Sequence, residues 1–408
     1  MDDAKSFSSF GLFVLWFGAA VSVAEILTGG YLAGLGLERG LWAIVLGHLA
    51  GMIPLILAGY AGFRERLPAV ACTRLSFGAR GSWIVSLLNV LQLVGWTAVM
   101  VQQGGLAVNA LAESLWGLSL PVLAPVLLGL LVGVWACLKP GGLRLLNLAA
   151  VALLFCLTLV LSAVVFGKPV PPGAAVTDSF GLGFELSIIM PLSWLPLMAD
   201  YTSQARTRAG AWLAPFLGYF LGSCWMYAIG LLGALHSGSA DPSGMMLAAG
   251  LGGVALAVIV LATVTTTFLD VYSAAVSLQN VLPWISRRAV AGGVAALGTI
   301  LAVVVDSGLY IDFLYLLGSV FAPVAAVFLI DYFLLRHDSR GRLADPLALF
   351  SLVAGVVLYR VLEGRDMVIG PTLATMLLTA TLHLLLRGAQ RGLGRSAGEG
   401  RAVTRGAS

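Results

Sequence analysis

Gly18-Ala-Ala-Val-Ser22, then Glu25, then Thr28-Gly-Gly30 interrupt an apolar run that extends over residues 9–34. A run of that length spans a hydrocarbon slab about 30 Å thick at about 1.5 Å per helical residue. Small residues, a carboxylate and a glycine pair stand where an ordinary span carries branched aliphatics. Five runs further on, residues 181–201 carry Pro191 and Pro196, each of which removes a backbone hydrogen bond. Breaks at matching places in runs one and six are the pattern of a transporter built from two inverted five-helix repeats. Unwound backbone at membrane depth is tolerated only where it lines a cavity or is buried in protein. The plainer alternative is that these are kinks, since Gly and Pro are frequent in membrane helices.

The rest of the chain has the same character. Its 408 residues are 59% hydrophobic and only 10% charged, against about a quarter charged in soluble domains. Too few charges exist to cover a large aqueous core, so lipid is the solvent. Twelve spans are read, at 9–34, 40–62, 83–108, 119–138, 144–166, 181–201, 210–235, 247–279, 289–306, 311–336, 345–362 and 367–387. The expected organisation is a cytoplasmic N-terminus (1–8), a five-helix repeat (9–166), its inverted partner (181–336), two additional helices (345–387) and a disordered basic tail (388–408).

Of the 23 Lys and Arg, 19 fall on one side if the N-terminus is inside, and the other side keeps Arg39, Lys168, Arg360 and Arg365. Both termini are therefore expected in the cytoplasm, with the chain in a bacterial-type inner membrane. The net charge of +4 reports topology, and a nucleic-acid partner is not implied. The four cysteines lack metal-ligand spacing. No H-E-x-x-H or Walker A sequence is present, so a membrane zinc protease and an ATP-driven pump lack their machinery, and the one G-x-S-x-G match, Gly394–Gly398, falls in the basic tail beyond the last span. An enzyme is not expected.

An ionisable group inside a bilayer costs roughly 2.5–3.5 kcal/mol on insertion scales. Glu25 and Asp270 are the deep ones, whereas Glu185 and Asp331 lie near enough to span ends to be solvated or capping. Gln92 and Trp96 are four residues apart, hence on one helical face, and Gln103 extends the stripe. An amide beside an indole suits a planar, hydrogen-bonding ligand. Ser193 and Trp194 stand between the prolines of run six. In Ala262-Thr-Val-Thr-Thr-Thr267 the Ala262 carbonyl and the Thr265 and Thr266 hydroxyls converge. Such hard oxygens suit Na+, although membrane threonines also bond back to their own helix.

Thr73-Arg-Leu-Ser-Phe-Gly-Ala-Arg-Gly-Ser82 resembles the R-x-S-F-G-x-x-G-S signature of the nucleobase:cation symporter-1 family. Thr28-Gly-Gly30, Gly95-Trp96, Ala199-Asp-Tyr201, Thr265-Thr266 and Asp331-Tyr332 look like the bacterial cytosine permeases. Within the family, Ser193-Trp194 and Thr265-Thr-Thr-Phe-Leu-Asp-Val-Tyr-Ser273 are most similar to hydroxymethylpyrimidine transporters of thiamine salvage. The resemblance implies an all-α LeuT-like fold, a 5+5 inverted repeat with two C-terminal helices. It also implies secondary active import of a planar heterocycle by alternating access. The coupling ion is Na+ or H+, with no cofactor and no obligate protein partner.

Carried over position by position, the resemblance makes Trp96 the stacking aromatic and Ser193 a polar substrate contact. Ala262, Thr265 and Thr266, with the carbonyls of Gly18 and Val21, become the Na+ ligands. Glu25, Gln92, Trp194 and Asp270 complete the expected substrate set. Three positions depart from the cytosine permeases: Pro191 replaces a second aromatic, Leu93 stands where a glutamine is expected, and Glu25 replaces a small polar residue. All three fall at the pocket, so hydroxymethylpyrimidine is expected first, with cytosine, another nucleobase or a hydantoin as the alternative substrate and an uncoupled channel or receptor as the alternative class.

Overall fold

The computed structural model describes residues 7–137, 140–167, 169, 176–250 and 252–405. Apart from one isolated bridge between Phe7 and Ala205, the regular structure among the described residues is helical. Apolar chain in lipid has no water to satisfy its amides, and helices satisfy them internally. We number the helices by span. The first span is split into α1a (Ser9–Ala20) and α1b (Val23–Gly30), followed by α2 (Leu37–Glu65), α3 (Gly81–Trp116), α4 (Leu123–Cys137) and α5 (Pro140–Phe166). The sixth is split into α6a (Phe180–Ser193) and α6b (Leu195–Thr202). Then come α7 (Arg208–Ser237), α8 (Gly252–Gln279), α9 (Arg287–Val304), α10 (Tyr310–Leu329), α11 (Pro346–Leu362) and α12 (Gly370–Arg405).

Each expected span coincides with one helix or one bent pair. Among the described residues six helices (α2, α3, α7, α9, α10 and α12) are long and apolar enough to cross a membrane. The two halves of α1 form one span bent by 53°, and those of α6 one bent by 40°. Shorter apolar helices occupy the fourth, fifth and eleventh positions. One expectation is corrected: α12 continues as helix to Arg405, through most of the tail read as disordered. Arg, Ala, Gln and Leu are good helix formers and offset the interspersed glycines there.

Helix pairing repeats at an interval of five. The α1a–α7 contact has its counterpart in α6a–α2, α3–α9 in α8–α4, and α3–α4 in α8–α9. Five is odd, so the second set runs opposite to the first through the membrane, which makes the repeat inverted. One bundle is thus α1, α2, α6 and α7; the other is α3, α4, α8 and α9. Glycines allow the closest approach within the first bundle. A Cβ on Gly29 of α1b would strike the backbone of Tyr227, and one on Gly230 of α7 would strike the Ile26 carbonyl.

The Thr73–Ser82 segment ties two loops together. Ala79 N–H donates to Arg342 O at 2.9 Å, Arg80 N–H to Leu343 O at 2.7 Å, and Asp345 N–H to Phe77 O at 3.0 Å. Gly78 has φ +82°, and a Cβ there would crowd the backbone of Arg342 and Ala344. Arg74 reaches the Asn280 side chain at the end of α8. The signature therefore braces the end of the molecule, away from the cavity at the α1 and α6 breaks.

Two carboxylates read as solvated or capping are fully buried. Asp331 accepts from Arg387 Nη2 at 3.0 Å and lies 3.0 Å from His383 Nε2, and Arg387 also reaches Asp345 at 3.0 Å. Glu185 accepts from Tyr359 at 2.6 Å and from the Thr372 amide at 3.0 Å. Both join the ten-helix body to α11 and α12. Their partners lie far along the chain, so span position alone misjudged them.

Candidate substrate site

Glycine, alanine and a capping serine break α1. Ser22 is extended (φ −138°, ψ 158°), and its hydroxyl accepts from the Glu25 amide at 3.4 Å, starting α1b as an N-cap. Ser22-x-x-Glu25 is the capping-box spacing, a local signal for a helix start at this point. In a continuous helix the amides of Ser22 and Glu25 would bond the carbonyls of Gly18 and Val21. Here the Ser22 amide bonds Ala20 O at 2.9 Å, and the Glu25 amide bonds Ser22 Oγ. The Gly18 and Val21 carbonyls, expected to face Na+, are thus among those the break leaves without these amide partners. The side chains of the other three expected ligands, Ala262, Thr265 and Thr266, lie outside the described residues.

The α6 break falls at Trp194, between Pro191 inside α6a and Pro196 in the first turn of α6b. Pro191 cannot donate to its helix, and Pro196 is preorganised to begin one. The Trp194 indole meets Trp16 edge-on at 5.6 Å and donates from Nε1 to Tyr219 Oη at 2.9 Å.

One cavity lies where both breaks face α3 and α8. Glu25, Gln92, Trp96, Ser193, Trp194 and Asp270 all line it, so every expected substrate residue reaches one space. Leu93, Met100, Met190 and Leu197 supply apolar wall. Trp96 is held edge-on by Phe313 at 5.3 Å and Tyr310 at 6.4 Å. Gln103, the continuation of the Gln92–Trp96 stripe, is buried elsewhere.

The Gln92 amide has a determined orientation. Its Nε2 donates to the Ser193 carbonyl at 2.9 Å and to Asn89 Oδ1 at 2.7 Å, and Asn89 Nδ2 donates to Ser277 Oγ at 2.7 Å. A carbonyl only accepts, so the NH2 group must face Ser193. That leaves Gln92 Oε1 buried without a hydrogen-bond partner. Ser193 spends its own hydroxyl proton on Met190 O at 2.7 Å.

Glu25 is engaged at both oxygens. Tyr219 donates to Oε1 at 2.7 Å and Ser223 lies 2.6 Å from Oε2, with His48 Nε2 2.6 Å beyond Ser223. Tyr219, Ser223 and His48 were not expected at the site. Their separations from Glu25 exceed any local spacing rule; only the cost of burying Glu25 announces that partners must exist.

The family model described as "Permease for cytosine/purines, uracil, thiamine, allantoin" matches residues 3–344. The chain belongs to this family, nucleobase:cation symporter-1. The cytosine permease of Escherichia coli O157:H7 is 28% identical over 379 residues, covering 88% of each chain. Among solved structures, inward-facing Mhp1 superposes with a TM-score of 0.81 at 18% identity, covering 94% of this chain and 92% of that one. Mhp1, a nucleobase-cation-symport-1 family transporter, in a closed conformation with bromovinylhydantoin bound gives 0.77 at 18% identity, covering 95% and 96%. The fold is accordingly LeuT-like, two inverted five-helix repeats with two further helices. This symporter-family member is a multi-pass membrane permease and not an enzyme.

Proposed function

We propose that this permease imports an amino-bearing pyrimidine, hydroxymethylpyrimidine first, by cation symport and alternating access. The observation that carries this reading is the unpartnered Gln92 Oε1, oriented by its neighbours and set beside Trp96. An acceptor with no proton to offer asks the ligand for an N–H. The other polar groups point the same way. Asp270 is a second acceptor at the cavity wall, while the protons of Trp194 and Ser193 are committed to Tyr219 and Met190. A wall on which acceptors outnumber free donors, the Ser22 hydroxyl being one such donor, favours an exocyclic amine or protonated ring nitrogen over the carbonyls of a dioxopyrimidine. The ring stacks on Trp96, and Leu93, Met190 and Leu197 suit a methyl substituent.

Glu25 contributes charge near the amine, its oxygens held by Tyr219 and Ser223. Na+ binds the carbonyls of Gly18 and Val21 with Ala262, Thr265 and Thr266, tying α1 to α8. By linkage, an ion that stabilises the binding-competent state raises substrate affinity. The positive-inside pattern supports N-in, C-in insertion in the inner membrane, which a reporter fused after Ser408 checks.

Cytosine is the second reading, favoured by the E. coli cytosine permease relative. Tryptophan fluorescence of the purified chain with hydroxymethylpyrimidine, cytosine and uracil, each with and without Na+, separates the readings. Tightest quenching by hydroxymethylpyrimidine with Na+ supports the proposal. Tightest quenching by cytosine supports the second reading, and preference for uracil overturns the donor argument.

A further inference from the structure

The cavity carboxylate ends a buried chain whose protons do not balance. His48 Nδ1 lies 2.8 Å from the Ile44 carbonyl oxygen, which only accepts, so Nδ1 carries a proton. His48 Nε2 is 2.6 Å from Ser223 Oγ, and Ser223 Oγ is 2.6 Å from Glu25 Oε2. These two contacts need two protons, and the hydroxyl supplies one. The other end is complete: Trp194 donates to Tyr219, and Tyr219 donates to Glu25 Oε1.

Two arrangements satisfy every contact. In one, Glu25 Oε2–H donates to Ser223 and Ser223 donates to His48 Nε2. In the other, His48 is an imidazolium whose Nε2–H donates to Ser223, and Ser223 donates to the Glu25 carboxylate. They interconvert by two concerted proton hops with no net change. A Glu25 carboxylate beside a neutral His48 lacks that proton and sets lone pairs against each other at 2.6 Å.

The surrounding groups do not supply the difference. From α7, Tyr227 commits its hydroxyl proton to Leu186 O; from α10, Tyr310 bonds Thr28, whose own proton goes to Ala24 O. Cys224 of α7 faces Glu25, and Asp270 of α8 lies across the cavity. Among the described residues no Lys or Arg forms an ion pair with Glu25.

We propose that Glu25, Ser223 and His48 form a single-proton binding site beside the substrate cavity, occupied in the conformation seen here and emptied during the transport cycle. The site joins α1b, α7 and α2 one turn beyond the α1 break, so a change in that break alters its geometry. A ligand N–H approaching Glu25 favours the carboxylate form and drives the proton toward His48. This deepens the cation-symport reading by naming a proton among the coupled ions and rests on that reading for its transport consequence. The proton site itself belongs to the ligand-free chain.

The first test therefore uses no ligand. The full-length protein in detergent is titrated toward alkaline pH while proton release and the infrared carboxyl and imidazole bands are followed. One proton per chain should leave in a step that is absent from Glu25→Gln, whose amide can donate to Ser223 and accept from Tyr219. In Ser223→Ala the step should shift and the carboxyl and imidazole bands should titrate separately. In proteoliposomes loaded by cytosine or hydroxymethylpyrimidine uptake, an inside-alkaline gradient should accelerate wild type at least several-fold and leave Glu25→Gln unaffected. Identical proton release from wild type and Glu25→Gln overturns the site. Release as expected without a gradient effect overturns its coupling to transport, and a failure of both pyrimidines to bind bears on the substrate reading alone.

Discussion

Gln92 Nε2 donates to the Ser193 carbonyl oxygen at 2.9 Å, so a residue of the cavity wall also fastens α3 to the α6 break. Gln92→Leu should weaken pyrimidine binding about 10- to 100-fold, corresponding to about 1–3 kcal/mol for an orphaned polar contact. Gln103→Leu, buried outside the cavity, should bind as wild type. Equal affinities for Gln92→Leu and wild type in a fluorescence titration would remove Gln92 from the ligand site.

Trp96 should act through its ring face. Base–aromatic stacking is worth about 1–3 kcal/mol by alanine substitution, so Trp96→Ala should lose about 10- to 100-fold in affinity. Trp96→Phe should lose only a few-fold. Calorimetric binding of each variant, with thermal unfolding as a control for folding, distinguishes stacking from packing against Phe313.

Arg387 is shared by Asp331 and Asp345 in a fully buried cluster. Removing one partner of a buried ion pair leaves an uncompensated charge and typically costs about 3–5 kcal/mol. Arg387→Met should therefore lower the thermal transition well beyond Arg391→Met. A double substitution with Asp331→Leu should recover part of the loss, and a transition unmoved by Arg387→Met would contradict the burial of the cluster.

The α1b–α7 crossing depends on the absence of a side chain at Gly230, where a Cβ would strike the Ile26 carbonyl. Overpacking of this kind costs about 1–3 kcal/mol, so Gly230→Ala should lower thermal stability and substrate affinity together. Gly292, with nothing near its Cβ position, should tolerate alanine. Equal melting curves for the two variants would contradict the close approach.

Burial, with the carboxylates of Glu65 and Asp200 nearby, pushes the Cys72 thiol up to about 12. At pH 8 the folded protein should hold almost no Cys72 thiolate, and a maleimide should leave it unlabelled until denaturant is added. In a chain carrying Cys137→Ser, Cys156→Ser and Cys224→Ser, rapid labelling of the folded protein would show that the α2–α3 loop is undocked.

The membrane class, the order of the spans and the paired breaks were legible because each is a local property. Hydropathy over some twenty residues reports solvent, and Gly18, Ser22, Pro191 and Pro196 act on the amides within one turn of themselves. The stripe from Gln92 to Trp96 was legible for the same reason, since four residues return to one helical face. Asp331 and Glu185 were misjudged because the cost of a buried carboxylate depends on its partners. Arg387, His383, Tyr359 and Thr372 are each more than 50 residues away along the chain.

By itself, then, the sequence determined that the chain is a helical membrane protein, where its helices break and which polar groups are too deep to be idle. Only the tertiary structure decided which way the Gln92 amide faces, because the Ser193 carbonyl and Asn89 Oδ1 take its donors and leave Oε1 without a partner. Only it decided that Glu25 answers to Tyr219, Ser223 and His48 on two other helices. Hydrogen bonds are directional and act over about 3 Å, so a group's available valence is set by whatever the fold brings within that distance.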